Sequence, residues 1–156
     1  EEHGPDGHKL YDEGVVLRAG ERPVALDVQP RQGAPLRLGL SICYDLRFPE
    51  LYRALMQPPC DLIAVPSAFT HTTGQAHWEV LLRARAIESQ CYLMAPAQGG
   101  RHENGRRTFG HTILIDPWGE VLARVEEGEG VAVAEIDRGL TEQIRRKLPA
   151  LAHRRL

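Results

Sequence analysis

The sequence has little of what marks proteins of membranes, of the extracellular space or of nucleic-acid complexes. No apolar run approaches the roughly 20 residues that span a bilayer, and the first residues are too acidic and polar for a signal peptide. The formal net charge is -2 and both signs are scattered along the chain, which leaves no basic stripe for a nucleic acid and no polybasic patch for a membrane surface. We therefore expect a cytoplasmic protein that binds a small molecule.

Cysteine is scarce as well. Cys43, Cys60 and Cys91 are an odd number at wide and unequal spacings, which is typical neither of a disulfide framework nor of a zinc site. At least one thiol is therefore expected to be free.

What the chain does have is an alternation of strand and helix patterns. Its 156 residues, 42% of them hydrophobic, suffice for one domain with a core or for a large piece of a bigger domain. After an irregular lead-in over residues 1–22, the patterns predict one unit over 1–156 that an antiparallel hairpin closes. The predicted strands are residues 23–28, 36–42, 61–65, 91–97, 111–116, 120–125 and 131–136, and the predicted helices are residues 48–56, 75–90 and 140–148. In the second helix, Val80, Ala84 and Ile87 form one apolar stripe.

Cys43 stands at the carboxyl end of a predicted strand, where strand gives way to helix. In open α/β sheets ligands bind beyond the carboxyl ends of the strands, and residues 67–70 and 98–100 follow two other predicted strands. A thiol at such a turn is exposed, and the amides of the turn can stabilise a developing oxyanion, which suits a nucleophile. The alternative is a small buried hydrophobic side chain, and position alone weighs the two equally. Cys60 and Cys91 begin strands and are predicted to be buried.

Several short motifs follow one another in a characteristic order. They are C-Y-D-L-R-F-P-E-L at residues 43–51, P-S-A-F-T at 66–70, T-G at 73–74 with H-W-E at 77–79, R-A-R-A-I-E at 83–88, G-H at 110–111 and D-P-W-G at 116–119. Together they resemble the nitrilase, or carbon-nitrogen hydrolase, superfamily over residues 11–156. H-W-E-V-L-L and Q-G-G-R-H follow the pattern of its Nit branch, the amidases of deaminated glutathione and related ω-amides. The resemblance implies an α/β fold that is part of a four-layer α-β-β-α sandwich, a mixed sheet with a C-terminal hairpin.

The resemblance also implies a catalytic constellation. Its nucleophile is Cys43, which attacks an amide carbon, and water then cleaves the resulting thioester. The Tyr44 amide helps to hold the oxyanion, and Glu13 matches a glutamate that supports the site. This chemistry implies no metal and no cofactor, and its partners are a small-molecule amide and water. We expect no nucleic acid, no membrane, and a homodimer or higher homo-oligomer.

Side chains around the turn have supporting roles in this interpretation. Asp45 and Arg47 flank it, and we expect them to hold it by pairing with each other or with Glu50. His77 opens a helix, and a Cys-His hydrolase would use it as the base for Cys43. We favour a hydrogen-bonding role at the helix start, because the resemblance supplies a glutamate base instead.

Substrate contacts are expected in the segments that follow the strands. Phe69 and Thr70 belong to one of them. Arg101 lies closest to a strand end among the three arginines of the loop 99–107, and a forked guanidinium suits a substrate carboxylate. Arg106 and Arg107 are as well explained as solvated surface charges.

The chain departs from the family pattern before Cys43. The family carries its glutamate base and its lysine upstream of the cysteine, the lysine in a Y-R-K-x-H-L-F-D motif that is absent here. Lys9 is too close to Glu13, and Lys147 ends the last helix. We therefore expect that the N-terminal part of the domain is missing and that this chain alone is inactive. The alternative is a non-catalytic binding or scaffold protein that kept the fold and lost the site.

Overall fold

Strands and helices alternate through most of the chain in the computed structural model. It describes residues 2–3, 9–10 and 13–155, with the backbone alone for residues 2, 3, 9, 10 and 13. The strands are β1 Glu2–His3, β2 Lys9–Leu10, β3 Val24–Val28, β4 Leu36–Leu40, β5 Leu62–Ala64, β6 Tyr92–Ala95, β7 Gly99–Arg101, β8 Arg107–Phe109, β9 Thr112–Ile115 and β10 Val121–Val125. The helices are α1 Pro49–Ala54, α2 His71–Ser89, α3 Arg138–Lys147 and α4 Ala150–His153, with 3-10 turns at Glu13–Val15 and Cys43–Arg47.

Six strands form one mixed sheet in the order β10-β9-β6-β5-β4-β3. The central strands β4, β5 and β6 run parallel because α1 and α2 carry the chain back between them. β3, β9 and β10 join antiparallel, and β9 with β10 forms the C-terminal hairpin. The predicted α/β fold, its mixed sheet and its hairpin are therefore confirmed. None of the helices in the described part of the chain is long and apolar enough to cross a membrane.

One face of the sheet is closed by α1 and α2. Ile63, Leu93 and Ile115 are at most 1% exposed and share one core cluster with Trp78 and Leu82 of α2. Burying an apolar side chain of this size contributes about 1.5 to 3 kcal/mol. This core holds α2 against the parallel strands.

Part of the opposite face of the sheet is apolar and exposed. Side chains alternate across a strand, so Leu40, its cross-strand neighbour Val24 and, beyond Ala64 in the same row, Met94 point away from the helices. They are 38%, 48% and 37% exposed, and Leu26 on the same face is 42% exposed. An apolar surface of this extent is typical of a face that another layer covers.

The stripe predicted for α2 is wrong. Val80 and Ile87 are 68% and 49% exposed, and the helix instead buries Trp78, Leu82 and Arg85 among others. The helix also begins at His71, four residues before the predicted start. The core side of α2 thus carries an arginine, which the search for an apolar stripe passes over.

Three further segments differ from the prediction. Residues 131–136 belong to no strand, although they alternate like one, because no neighbouring strand in the described part of the chain pairs with them. Residues 99–109, where a loop was expected over 99–107, form the β7–β8 hairpin. Within the lead-in 1–22, the backbones of β1 and β2 pair antiparallel.

Candidate active site

Cys43 lies where the three parallel strands end. Beyond those ends the chain continues the ladder: Ser41 N–H donates to Ala64 O at 3.1 Å, and Cys43 N–H donates to Pro66 O at 2.9 Å. Ser67 N–H donates in turn to Pro96 O at 3.0 Å. The segments after β4, β5 and β6 are thus held side by side, as the sequence predicted from their places after strands.

The backbone of Cys43 is strained. Its φ is 44°, in the left-handed region that costs an L-residue other than glycine roughly 1 to 2 kcal/mol. Asp45 fixes the start of the turn, because Ile42 N–H donates to Asp45 Oδ2 and Asp45 N–H donates to Ile42 O, both at 2.9 Å. Such strain persists only where the surroundings enforce it, and it is common at nucleophiles and ligand sites.

The Tyr44 amide stands out among the amides of the turn in the described part of the chain. No residue from 13 to 155 accepts a hydrogen bond from the Tyr44 N–H, whereas the neighbouring amides of Cys43 and Asp45 are engaged. An N–H group left open at a half-buried thiol is the donor that an oxyanion requires. The Tyr44 side chain itself is 63% exposed.

Arg47 does not pair with Asp45 or Glu50, all of which lie in the described part of the chain, so that expectation is wrong. Its guanidinium lies 5.5 Å from the ring centroid of Tyr44 and 5.2 Å from that of Phe69. The Asp45 carboxylate accepts from the Ile42 N–H, and the Arg47 guanidinium contacts the two aromatic rings instead.

His77 is engaged with Arg47. The guanidinium only donates, so the contact of 3.3 Å between Arg47 Nη1 and His77 Nδ1 makes the imidazole nitrogen the acceptor. A nitrogen used in this way is not available as a base for Cys43. This contact favours the positioning role that the sequence suggested for His77 over the Cys-His alternative.

Phe69 and Thr70 follow β5 and reach the same edge. The Phe69 ring is 6% exposed and packs on Trp78 with ring centroids 4.9 Å apart. Thr70 is half-buried just ahead of α2, with its hydroxyl 2.7 Å from that of Thr73. Phe69 therefore meets the Cys43 turn through Arg47, while Thr70 is tied to the start of α2.

The three arginines of the β7–β8 hairpin are placed differently. Arg101 is exposed, and its cross-strand partner is the exposed Arg107. Arg106 Nη2 donates to Ala68 O at 3.2 Å, so this arginine binds the segment after β5. Arg106 could not be preferred from the sequence, because no local pattern shows that the hairpin folds back onto residue 68.

Cys60 and Cys91 are core thiols, as predicted. Both are 0% exposed, and Cys60 Sγ donates to Leu55 O at 3.1 Å. Burial raises the pKa of each thiol above its ordinary value. Only Cys43 among the three has part of its surface in solvent.

Two further points concern Glu13 and the binding of a metal ion. The side chain of Glu13 lies outside the described residues, although its backbone begins the first 3-10 turn. The described residues contain no group of three or more His, Cys, Asp or Glu side chains placed to hold a metal ion.

Comparison with known proteins gives one consistent result. The profile of the Carbon-nitrogen hydrolase family matches residues 5–146. A deaminated glutathione amidase from Synechocystis sp. is 48% identical over 150 residues, 96% of this chain and 54% of that protein. The deaminated glutathione amidase of Homo sapiens is 55% identical over 119 residues, 76% of this chain and 36% of that protein.

Comparison of the fold with solved structures agrees with this result. The crystal structure of the C. elegans NitFhit protein matches with a TM-score of 0.86 at 44% identity, over 97% of this chain and 36% of that one. The chain spans between about a third and about half of the length of the relatives it matches.

Proposed function

This chain belongs to the carbon-nitrogen hydrolase family, and from that premise we propose that it hydrolyses a linear amide through a thioester of Cys43. The observation that carries the proposal is the turn itself. A half-buried thiol with φ of 44° stands beside the Tyr44 N–H, which has no acceptor among residues 13–155. A nucleophile next to an open donor is the minimum that acyl transfer requires.

The steps of the reaction follow from these parts. The Cys43 sulfur bonds to the amide carbon, and the carbonyl oxygen becomes an oxyanion facing the Tyr44 N–H. The carbon–nitrogen bond then breaks, nitrogen leaves as ammonia after taking a proton, and a thioester remains. Water cleaves the thioester to give a carboxylic acid and the free thiol. The family resemblance assigns the proton transfers to a glutamate, and no motif of this chain matches that glutamate or the lysine. We therefore propose that the chain supplies the nucleophile and that its activity alone is negligible.

We propose an ω-amide of a small carboxylic acid, such as deaminated glutathione, as the substrate. Two relatives named deaminated glutathione amidase support this choice. Arg101 is the proposed carboxylate partner, because it is exposed on the hairpin that folds back over the segment after β5. A charge-assisted pair of this kind contributes about 1.5 to 3 kcal/mol, which is roughly tenfold to a hundredfold in selectivity. We propose that Phe69 and Thr70 line the substrate site beside Cys43.

The experiment measures kcat/KM by ammonia release for an acid-bearing ω-amide and for its methyl ester, in the protein that carries this chain. We expect the acid to be preferred at least tenfold and Arg101→Ala to remove that preference. Arg146→Ala, which removes an exposed arginine of α3, is the matched control and should leave it unchanged. An ester that reacts as well as the acid overturns the substrate class, and unaltered ammonia release in Cys43→Ala overturns the function.

Location and assembly complete the proposal. A cytoplasmic protein is supported by three cysteines that are all free, since disulfides form mainly in oxidising compartments. A homodimer or higher homo-oligomer is supported by the apolar side chains exposed on the sheet. A non-catalytic scaffold is not favoured, because the named relatives are amidases.

A further inference from the structure

A buried arginine of α2 holds the far end of the turn that carries Cys43. Arg85 is 6% exposed and donates two hydrogen bonds to the same carbonyl oxygen of Leu46, from Nε at 3.2 Å and from Nη2 at 2.9 Å. Leu46 belongs to the 3-10 turn Cys43–Arg47. The last carbonyls of a helical turn have no partner within it, and here the guanidinium supplies one.

Arg85 is itself held in place from two directions. Its Nη1 donates to Glu88 Oε1 at 3.1 Å, and Glu88 is also paired with Arg53 of α1 at 3.3 Å. The ring of Tyr52, which is 0% exposed, lies 5.3 Å from the guanidinium carbon. A buried arginine with a carboxylate, an aromatic face and a carbonyl as partners has one orientation only.

Tyr52, which packs against Arg85, also contacts Ser41, which precedes Cys43 in the chain. Ser41 Oγ donates to Ala64 O at 3.0 Å, so the Tyr52 hydroxyl is the donor in its 3.0 Å contact with Ser41 Oγ. Ser41 and Leu46 stand on either side of Cys43 in the sequence. Tyr52 therefore binds the side chain of Ser41 before the strained residue, and Arg85 binds the carbonyl of Leu46 after it.

We propose that Arg85 is a positioning residue for the thiol of Cys43: by holding the Leu46 carbonyl it keeps the turn wound and Cys43 in its left-handed conformation. The inference rests on the proposed function, in which Cys43 is the nucleophile. If Arg85 served only to link α2 to α1, its contact with Glu88, which pairs with Arg53 of α1, would be enough. Two of the guanidinium donors go instead to the turn. Without them Cys43 relaxes to negative φ and turns its thiol toward the core cluster against which it already packs.

The test compares two Arg→Lys variants of α2. Arg85→Lys keeps the charge but cannot grip one carbonyl with two donors. Arg83→Lys is the matched control, since Arg83 Nε donates to a backbone carbonyl too, that of Gly119 at 2.8 Å, away from the turn. The readout is the rate constant of Cys43 alkylation by iodoacetamide at fixed pH, measured by peptide mass mapping. Cys60 and Cys91 in the same sample report whether the fold has opened.

We expect Arg85→Lys to lower the Cys43 rate constant at least fivefold while Cys60 and Cys91 stay protected, and Arg83→Lys to stay within twofold of the parent. An unchanged rate in Arg85→Lys, or an equal fall in both variants, overturns the inference. Should Arg85→Lys expose Cys60 and Cys91, Glu88→Gln decides. It leaves Arg85 present but loosens its hold, and at least a twofold fall supports the inference whereas no fall overturns it.

The inference and the proposed function fail in different ways. If Cys43 of the parent protein reacts no faster than Cys60 and Cys91, the nucleophile of the proposed function is wrong. If Cys43 reacts fast and Arg85→Lys leaves it so, the nucleophile stands and only the role of Arg85 is wrong.

Discussion

The guanidinium of Arg47 lies over the ring of Phe69, with its central carbon 5.2 Å from the ring centroid. This contact joins the turn after β4 to the segment after β5, and Trp78 packs against the same ring. Cation–π and aromatic contacts in partly buried positions contribute about 0.5 to 2 kcal/mol each. The Phe69 ring is therefore a structural link between two segments at the candidate site.

Phe69→Leu is expected to lower the free energy of unfolding by about 1 to 2 kcal/mol, because it removes both ring contacts and leaves part of a buried volume empty. Urea denaturation measures the change. Phe48→Leu is the control, since the Phe48 ring is 48% exposed and its loss should change stability by less than about 0.5 kcal/mol. Equal losses in the two variants would show that the two ring contacts of Phe69 add no stability beyond that of an exposed phenylalanine.

Iodoacetamide is expected to modify Cys43 at least tenfold faster than Cys60 or Cys91 under native conditions. Burial protects the latter two and raises the pKa of their thiols, so few thiolates are available. Peptide mass mapping over a time course gives the three rates. In about 6 M guanidinium the rates should converge, and equal rates in the native protein would contradict the assignment of Cys43 as the accessible thiol of the candidate site.

Stability is expected to fall as the pH rises above about 9. Burial raises the pKa of Cys91, and it raises that of Tyr52 from 10.0 to about 12. Well below pH 9.0, the ordinary pKa of a thiol, both groups are protonated in the folded and unfolded states. Above it the unfolded thiol loses its proton while the folded one keeps it, so the free energy of unfolding decreases with pH. Tyr52 adds to the decrease between pH 10 and about 12.

Cys91→Ala tests the thiol contribution. One such group changes the slope by up to about 1.4 kcal/mol per pH unit, so the variant should lose stability less steeply than the parent between pH 9 and 11. Denaturation midpoints in a reducing buffer measure both slopes. Parallel slopes in the two proteins would mean that Cys91 titrates alike in both states.

The sequence predicted the central strands because they are apolar and follow one another in strand–helix order, and the position of Cys43 came with them. It did not predict the core side of α2, since that side includes Arg85, whose partner is a carbonyl three residues beyond Cys43. Residues 131–136 show the opposite error. Their polar and apolar residues alternate as in a strand, but a strand also needs a neighbouring strand to pair with. The hydropathy pattern does not show whether such a neighbour exists.

The contacts of Arg47 and Arg106 were also beyond reach. Asp45 next to Arg47 suggested an ion pair, yet the carboxylate is used by the Ile42 amide inside the turn. Arg106 binds Ala68 O because the β7–β8 hairpin folds back on the segment after β5. Both outcomes depend on long-range backbone geometry, which local pattern does not contain.

Association through the open sheet face is expected in solution. Leu26 and Met94 expose apolar surface there, and water makes the contact between two such faces favourable. Light scattering should show particles heavier than the 17.4 kDa chain, and Leu26→Lys should shift them toward the monomer. Val80→Lys on the outer side of α2 is the control. A shift caused by Val80→Lys instead would move the interface to the helices, and a stable monomer of the parent would contradict the prediction.

The central claim is that Cys43 forms a thioester with an amide substrate. The most direct measurement is mass spectrometry of the protein that carries this chain, quenched in acid soon after mixing with an acid-bearing ω-amide. We expect a mass increase equal to the amide minus ammonia, confined to the Cys43 peptide, removed by hydroxylamine and absent in Cys43→Ala. Ammonia released without any adduct at Cys43, or an adduct that persists in Cys43→Ala, would contradict it.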